Sequence, residues 1–372
     1  LYKLQTFFLC SSFTQQIKIN NGTIMYFRTT LWLWFATMIS AVNLAYASSQ
    51  DNPSANNDTS KSKVPYYADW PKIDSAVPKD AEIETFIANI LSQMTLAEKV
   101  GQMIQPDLRN VTPREAKKYK LGSLLNGGGA WPNNNKYASA EAWAAKSDEY
   151  WDALEDAYKG RGFRIPFIWA TDAVHGHNNV FRATVFPHNI GLGAANNPAL
   201  IYEIGKATAQ EIVATGLDWT FAPTVASPRD YRWGRVYEGY SEDPEIIYQY
   251  AKQMVYGLQG GVDGLQGEDN VISNVKHWVG DGGTLGGVDH GQNRYSEDYL
   301  RNIHATGYFG GLEAGAQVVM SSFNSWWNEN NYDPMRSGGA YLNNQKIHGS
   351  QYLINDVLKG KRGFDGVVVT DW

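Results

Sequence analysis

The chain has 372 residues, of which 43% are hydrophobic and 19% are charged, and its formal net charge is −6. This composition is typical of a globular protein with one large domain or two ordinary ones. The negative net charge gives no reason to expect nucleic acid or an anionic membrane surface as a partner. The single cysteine, Cys10, precedes the expected mature chain, which excludes disulfides, thiolate metal sites and a cysteine nucleophile.

The N-terminal region has the form of an export signal. We interpret residues 1–24 as upstream translation, because the first methionine is Met25. Residues 25–47 resemble a secretory signal peptide, with a short positive region, an apolar run and an Ala-x-Ala site. Residues 48–77 are predicted to be a disordered lead-in, because polar residues predominate at its start. The predicted location is periplasmic or secreted, with no stable membrane anchor after signal cleavage; an anchor that is never cleaved is the alternative.

Two helices are predicted where the folded domain begins. Apolar residues recur at helical spacing from Ile83 to Met94, and Asp80 is placed to cap the first turn. Thr95 and Glu98 have the spacing of a capping box, which predicts the start of a second helix.

Strand-like and helix-like segments then alternate. The strands are predicted at 121–125, 165–170, 217–222, 271–277, 317–322 and 366–370, and the helices between them at 138–158, 198–215, 244–258, 298–313 and 350–359. Such alternation implies a parallel sheet, either a barrel or a doubly wound sheet. Because polar residues cluster after the strand ends, we favour an α/β fold of the TIM-type (β/α)8 barrel class. Only six strands are visible, so we expect the barrel to be incomplete at its C-terminal end.

Charged residues follow the predicted strands at the end where barrel enzymes hold their sites. Asp172 follows the second strand and is a candidate for hydrogen bonding to a polar ligand. Lys276 and His277 end the fourth strand, and burying them without partners would be costly, so a binding site is favoured there. Asp371 follows the sixth strand. Hydrogen-bonding groups beside aromatic faces suit a sugar, and the available chemistry is carboxylate chemistry on a glycosidic bond.

Neither a metal nor another cofactor is predicted. His175 and His177 lie two residues apart near Asp172, but a third and a fourth ligand are not evident. Phosphate-binding, dinucleotide-binding, G-x-S-x-G and H-E-x-x-H motifs do not occur in the sequence. In the loop after the third strand, interleaved acids cancel the arginines, and we expect mostly salt bridges, with one arginine facing the ligand.

Six motifs in order resemble those of glycoside hydrolase family 3, the β-glucosidase and exo-β-glucanase group. The motifs are Asp172-Ala-Val-His-Gly-His-Asn-Asn, Phe186-Pro-His-Asn-Ile-Gly-Leu-Gly, Trp233-Gly-Arg-Val-Tyr-Glu, Tyr240-Ser-Glu-Asp-Pro, Lys276-His-Trp-Val-Gly-Asp-Gly-Gly-Thr and Gly363-Phe-Asp-Gly-Val-Val-Val-Thr-Asp-Trp. The resemblance implies that residues 78–372 form the family's N-terminal barrel domain. The implied substrates are β-glucosides or β-glucan oligosaccharides.

The resemblance also implies roles for single residues. Asp371 would be the nucleophile of a retaining reaction, and Trp372 would form part of an aromatic clamp for the next sugar. Met320 and Phe323 match positions near the terminal sugar. The hydroxyls of that sugar would be held by Asp172, Arg235, Lys276 and His277. In this branch the acid/base glutamate comes from a second, α/β sandwich domain, so we expect a chain truncated after the nucleophile and nearly inactive alone.

Two alternatives stay open. One is a β-N-acetylglucosaminidase of the same family, which takes its acid/base from a barrel loop with an Asp-Ser-His element; Asp289 and His290 are adjacent here, a poor match. The other is a secreted, non-catalytic sugar-binding module, which would keep the sugar contacts without the acid/base.

Overall fold

The computed structural model describes residues 64–332 and 345–372. The predicted upstream segment, the signal peptide and residues 48–63 of the predicted lead-in lie outside these residues. Within the described ranges, no helix is both long and apolar enough to cross a bilayer.

Helices and strands alternate through most of the described chain. Its α-helices are α1 Ala81–Gln93, α2 Leu96–Gln102, α3 Pro113–Tyr119, α4 Ala140–Ala157, α5 Asn189–Ala194, α6 Pro198–Ala214, α7 Pro244–Gln259, α8 Glu297–Tyr299 and α9 Thr306–Glu313. Helices with π-type turns cover Leu300–His304 and Gln351–Lys361, and 3-10 turns cover Pro132–Asn134, Val236–Glu238, Gly264–Gln266, Asp281–Gly283, Leu285–Gly287 and Ile347–Gly349. The strands are β1 Ser123–Asn126, β2 Ile168–Thr171, β3 Trp219–Thr220, β4 Ile272–Trp278, β5 Gln292–Asn293, β6 Val318–Ser321, β7 Ser325–Trp326, β8 Gln345–Lys346 and β9 Val367–Thr370.

Six strands form one parallel sheet in the order β1-β2-β3-β4-β6-β9. They are the six strands predicted from the sequence, with shifted bounds. The helix predicted at 298–313 is divided into α8, a π-helix and α9. A second sheet, β5-β7-β8, lies among the loops that follow β4 and β6. The α/β class and the parallel sheet are therefore confirmed.

The large sheet is curled. Leu125 of β1 and Met320 of β6 belong to one buried cluster, although three strands separate β1 from β6 in the sheet. A flat sheet would hold strands spaced in this way about 19 Å apart, since neighbouring strands lie about 4.8 Å apart. The cluster therefore fills the concave face of a half-barrel, and the larger apolar core lies between the sheet and its helices.

Residues 64–77 pack against the half-barrel, so the prediction of a disordered lead-in up to residue 77 is wrong for this part. Trp70 is only 4% exposed. Its ring lies 5.8 Å from that of Trp278, and its indole N–H donates to Glu297 at 2.7 Å. The prediction rested on the polar residues at the start of the lead-in and did not consider the aromatic residues that follow, which can be buried.

The two predicted helices at the start of the domain are present with their predicted caps. The Asp80 side chain accepts from the first turn of α1, and Thr95 and Glu98 form a reciprocal capping box at α2. The apolar face of α1, however, is mostly open. Among its members only Ile90 is buried, while Ile83, Phe86, Ile87 and Leu91 are exposed by 44% to 61%.

Candidate active site

The candidate site lies at the carboxyl ends of the parallel strands. Asp172 directly follows β2, and Asp371 directly follows β9. Lys276 and His277 are consecutive in β4, where side chains normally alternate between the two faces. The pairing of β4 with β6 shifts between Lys276 and Trp278, which is a bulge. Because a bulge re-aims the side chain that it contains, Lys276 and His277 both reach the site.

Lys276 and Asp172 form a salt bridge across the sheet. Lys276 Nζ donates to Asp172 Oδ1 at 2.7 Å, and the lysine side chain is only 4% exposed. Burial alone would raise the pKa of Asp172, but the charge and hydrogen bond of Lys276 outweigh it and hold that pKa below its usual value. The Asp172 side chain is 29% exposed, so one of its oxygens can still accept from a ligand hydroxyl.

Arg235 is held in the site by Glu238, three residues further along the chain. The guanidinium Nε and one terminal nitrogen donate to the two carboxylate oxygens at 2.7 and 2.9 Å. Burial would lower the pKa of Arg235, but Glu238 reverses the shift and raises it. The pKa of Glu238 is lowered, because the hydrogen bond and charge of Arg235 outweigh its burial.

His277 lies between Arg235 and the predicted nucleophile. Its Nε2 lies 3.1 Å from a terminal nitrogen of Arg235 and 4.0 Å from Asp371 Oδ2. Its Nδ1 lies 2.9 Å from Asp281 Oδ2. Burial, together with the charges of Arg235 and Lys276, lowers the pKa of His277 to about 3. Burial raises the pKa of Asp281 to about 7.

Asp371 and Trp372 follow the last strand of the sheet. The Asp371 side chain is 15% exposed, and its Oδ1 accepts the backbone N–H of Trp372 at 2.9 Å. The Trp372 ring lies 5.0 Å from Phe221 and is about half exposed. A Cβ at Gly127 would come within 3.1 Å of the indole, so the glycine permits this position of the ring.

Of the remaining predicted site residues, Met320 belongs to β6 and Phe323 lies in the loop that follows it. Met320 is 1% exposed and forms part of the wall under the site, where it pairs with Lys276 and with Val369. Phe323 lies between two imidazole rings, those of His290 at 5.0 Å and His348 at 4.8 Å. Phe323 is thus placed at the rim, beside the loop that follows β4.

The sequence motifs contained two further site residues without indicating their roles. Glu238 is one of the interleaved acids of the loop after the third strand, for which only a salt bridge was expected, and no role was predicted for Asp281. Their spacing is a usable signal, since Glu238 follows Arg235 by three residues and Asp281 follows His277 by four. Phe221, whose ring lies beneath both Trp372 and the Lys276 ammonium, was likewise not identified.

The other charges of this region form pairs at the surface. Arg232 is paired with Asp230, and Arg229 donates to the backbone carbonyl of Glu242 at 2.8 Å. Of the three arginines in the loop, Arg235 alone contacts the buried cluster of Lys276, His277 and Asp281 in the described residues. Arg235 is therefore the arginine of this loop that lies among the charged residues at the strand ends.

The two histidines near Asp172 serve separate contacts. His177 is buried and its Nε2 lies 2.9 Å from the Thr215 hydroxyl, whereas His175 Nε2 lies 3.0 Å from His188 Nδ1. In the part of the chain that the structure describes, no group of three or more His, Cys, Asp and Glu residues could hold a metal ion.

The residues at the strand ends thus form a cleft with two kinds of surface. One side carries hydrogen-bonding groups in charged pairs, and the other carries the half-exposed ring of Trp372, which packs on the buried Phe221. The carboxylate of Asp371 lies between them. Such a cleft can bind a ring with hydroxyls on its edge and C–H groups on its face, and it can present a nucleophilic oxygen to that ring.

Curated relatives of known name resemble this chain over most of its length. It is 30% identical over 307 residues to a lysosomal beta glucosidase from Dictyostelium discoideum and 28% identical over 293 residues to a periplasmic beta-glucosidase from Salmonella typhimurium. The alignments cover 78% and 77% of this chain but 35% and 33% of those proteins. The chain therefore spans about a third of the length of these relatives.

Solved structures give the same picture. An exo-1,3/1,4-beta-glucanase from a Pseudoalteromonas species matches with a TM-score of 0.74 at 47% identity, over 82% of this chain and 36% of that one. A beta-glucosidase from Listeria innocua in complex with isofagomine matches with a TM-score of 0.61 at 26% identity, over 79% of this chain and 37% of that one. The model of the glycosyl hydrolase family 3 N-terminal domain matches residues 95–372. Because that match covers most of the chain and includes every residue of the cleft, the chain belongs to glycosyl hydrolase family 3.

Proposed function

We propose that this chain forms the nucleophile-bearing, sugar-binding domain of a retaining β-glucosidase or exo-β-glucanase. The observation that carries the proposal is the position of Asp371, whose carboxylate lies 4.0 Å from His277 at the carboxyl end of the sheet. The names of the relatives support a β-glucoside substrate. We propose that the curled sheet within residues 78–372 belongs to a TIM-type (β/α)8 barrel.

In the proposed reaction the cleft holds a terminal, non-reducing glucosyl residue. Its hydroxyls contact the charged pairs, with Asp172 accepting and Lys276 and Arg235 donating. Asp371 attacks the anomeric carbon, the bond from that carbon to the leaving oxygen breaks, and a glycosyl ester forms on Asp371. Water then hydrolyses the ester, so the configuration at the anomeric carbon is retained. The exposed face of Trp372 stacks on the following sugar.

The leaving oxygen must be protonated, which calls for a second carboxyl about 5–5.5 Å from the nucleophile in a retaining enzyme. The other carboxylates of the cleft have partners of their own: Asp172 is paired with Lys276, Glu238 with Arg235 and Asp281 with His277. From the family resemblance, we propose that the acid/base role belongs to a glutamate of a second, α/β sandwich domain. On this basis the chain by itself turns over p-nitrophenyl β-glucoside far more slowly than the intact relatives do.

Asp371 is tested with a substrate that needs no acid. A dinitrophenyl 2-deoxy-2-fluoro-β-glucoside has an activated leaving group, and its fluorine slows hydrolysis of the ester, so a glycosyl-enzyme accumulates. We expect the intact mass of the protein to rise by one fluoroglucosyl group, located by peptide mapping on Asp371. The Asp371→Ala variant should stay unlabelled.

Asp365→Ala is the matched control, because Asp365 precedes β9 and forms an exposed pair with Lys79. It should be labelled like the wild type. Labelling of another carboxyl, or of the Asp371→Ala variant, would contradict the assignment. Binding of glucose without any labelling would instead favour a sugar-binding module. Faster release of dinitrophenolate from a dinitrophenyl N-acetyl-β-glucosaminide than from the dinitrophenyl β-glucoside would favour a β-N-acetylglucosaminidase.

The location is proposed to be periplasmic or secreted. The support is the signal-like sequence of residues 25–47 and the name of the periplasmic relative from Salmonella typhimurium. Fractionation of cells that express the whole gene tests this, with N-terminal sequencing of the exported protein. A start near Ser48 is expected.

A further inference from the structure

The imidazole of His277 has a polar partner on each ring nitrogen. Nε2 lies 3.1 Å from a terminal nitrogen of Arg235, and Nδ1 lies 2.9 Å from Asp281 Oδ2. The ring is 2% exposed, so these contacts are not exchanged with bulk water. The position of the ring proton therefore follows from the chemistry of the two partners.

The guanidinium of Arg235 has only hydrogen-bond donors. Its contact with Nε2 is a hydrogen bond only if Nε2 carries a lone pair and accepts. The proton of a neutral ring then lies on Nδ1, where it is donated to Asp281. In this tautomer both contacts are hydrogen bonds.

Every other protonation state of His277 sets two donors against each other. With the proton on Nε2, or with both nitrogens protonated, an N–H of the ring faces an N–H of Arg235 at 3.1 Å. Protonation of Asp281 does not change this, since a carboxylic acid still accepts through its other oxygen. Burial and the charges of Arg235 and Lys276, which lower the pKa of His277 to about 3, favour the neutral ring as well.

The Asp281 carboxylate is held firmly enough to select a tautomer. It begins the 3-10 turn Asp281–Gly283, and the carbonyl of Gly282 in that turn accepts the backbone N–H of Arg229 at 2.8 Å. The turn is also closely packed, because a Cβ at Gly283 would come within 2.4 Å of His304 Nε2. A movement of Asp281 away from His277 would therefore disturb two neighbouring segments.

We infer that Asp281 is a positioning residue that keeps the single N–H of a neutral His277 on Nδ1, directed away from Asp371. This inference rests on the proposed role of Asp371. With its proton on Nδ1, His277 cannot donate to Asp371 Oδ2, which keeps its electron pair for the anomeric carbon. Towards the sugar, Nε2 carries no proton, so His277 donates no hydrogen bond to a hydroxyl next to it.

The tautomer is observed directly by NMR of the protein labelled with 15N-histidine. The signals of His277 are assigned by their loss in a His277→Gln variant. We expect a protonated Nδ1 and an unprotonated Nε2 from pH 5 to pH 8. A proton on Nε2, or on both nitrogens, in the wild-type protein would overturn the inference whatever the enzyme does.

Two substitutions at Asp281 separate positioning from a structural role. The amide oxygen of Asp281→Asn can still accept from Nδ1, whereas Asp281→Leu has a similar size and no acceptor. We expect Asp281→Asn to keep the tautomer and to label Asp371 with the fluoroglucoside within about 10-fold of the wild-type rate. In Asp281→Leu the Nδ1–H has no acceptor and the ring is no longer held, so the Nδ1 proton signal should be lost by exchange, and labelling should be at least about 100-fold slower, still on Asp371.

The outcomes of this experiment are distinguishable. Equal labelling rates and an unchanged tautomer in Asp281→Leu would overturn the positioning role. If Asp281→Leu does not fold, a loss of the tautomer or a rate loss above about 100-fold in the folded Asp281→Asn protein would also overturn it. If the wild type is not labelled at all, the proposed function fails, while the NMR result still decides the tautomer. Asp365→Leu, at the exposed pair with Lys79, is the control for the loss of a carboxylate.

Discussion

At the scale of single residues, the loop after β3 contains two Arg–acid pairs in different surroundings. Arg235 and Glu238 are largely buried, with side chains 25% and 10% exposed, whereas Arg232 in the other pair is 75% exposed. We expect Glu238→Ala to lower the free energy of unfolding by about 3 kcal/mol, because it leaves the Arg235 charge in the site without its carboxylate. Urea unfolding monitored by tryptophan fluorescence measures the change.

Asp230→Ala removes the acid of the exposed pair and serves as the control. We expect no resolvable change in the urea midpoint, since water already screens Arg232. Equal losses in the two variants would contradict the distinction between the buried and the exposed pair.

Gly127 permits a second test at the same scale. A Val at this position would meet the Trp372 indole, whereas a Cβ at Gly128 has nothing within 4 Å. We expect Gly127→Val to displace the indole from Phe221 and to weaken binding of laminaribiose about 10-fold, with binding of glucose less affected. Calorimetric titration with both sugars measures this.

Gly128→Ala is the matched control and should bind both sugars like the wild type. Equal weakening for glucose and laminaribiose in Gly127→Val would remove Trp372 from the second sugar position.

At the scale of elements, the π-helix Leu300–His304 ends in a buried histidine. In the described residues neither ring nitrogen of His304 has a hydrogen-bond partner, and burial lowers its pKa to about 3. Burial lowers the pKa of His177, in the loop after β2, to about 4. Their unfolded value is 6.5, so below that pH the unfolded chain binds protons that the folded chain does not.

Protons therefore favour unfolding, and stability is lost as the pH falls from about 6.5 towards 4. Each of the two histidines should lower the free energy of unfolding by about 2 kcal/mol when the pH falls from 7 to 5. The pKa of His277 is lowered and that of Asp281 is raised, so their contributions to the pH dependence of stability largely offset each other over the same interval. Over this pH range we expect the free energy of unfolding of His304→Phe to fall by about 2 kcal/mol less than that of the wild type. Urea unfolding at pH 7 and at pH 5 measures the difference.

His290→Phe, at an exposed position, controls for the exchange of an imidazole for a phenyl ring. An unchanged pH dependence of stability in His304→Phe would show that the buried imidazole does not cause the loss of stability at low pH. A lower stability of that variant at pH 7 would point to a hydrogen bond that His304 makes.

The elements also show what local sequence can predict. The caps of α1 and α2 were predictable, because Asp80, Thr95 and Glu98 act on backbone groups within three residues. The bulge that turns both Lys276 and His277 into the site was not, because it depends on the register between β4 and β6. The paired role of Asp281 depends on that bulge, so it was also hidden.

At the scale of the whole molecule, alternation of strands and helices predicted a parallel sheet but could not establish its curvature. The curl appears only in contacts between distant strands, such as those that place Leu125 and Met320 in one cluster. Burial of Trp70 was not predicted for the same reason, since its partner Trp278 lies roughly two hundred residues further along the chain. An apolar pattern indicates that a face has a partner without identifying that partner.

The apolar face of α1 has a consequence for the behaviour of the chain in solution. Phe86 and Leu91 are exposed by 61% and 44%, next to Ile83 and Ile87. A contiguous apolar stripe of this kind promotes association. We expect the chain to form oligomers as its concentration rises, and we expect the double variant Phe86→Ser, Leu91→Ser to stay monomeric by light scattering after size exclusion.

Ile90→Ser is the control on the buried side of the same helix, and it should lower the stability of the chain without restoring a monomer. Persistent oligomers in the double variant would locate the associating surface elsewhere.

The strand that carries Asp371 lies at the margin of the large sheet. Four register pairs, Val318 with Val367 through Ser321 with Thr370, join β9 to β6, and Val367 is 57% exposed. A slip of two residues along β6 would keep every side chain on its own face and yet carry the carboxylate roughly 7 Å from its place. The distance between Asp371 and His277 therefore depends on the alignment of β9 with β6. Any polypeptide that pairs with the outer edge of β9 would fix this alignment, and thus the position of the Asp371 carboxylate, without contacting the sugar.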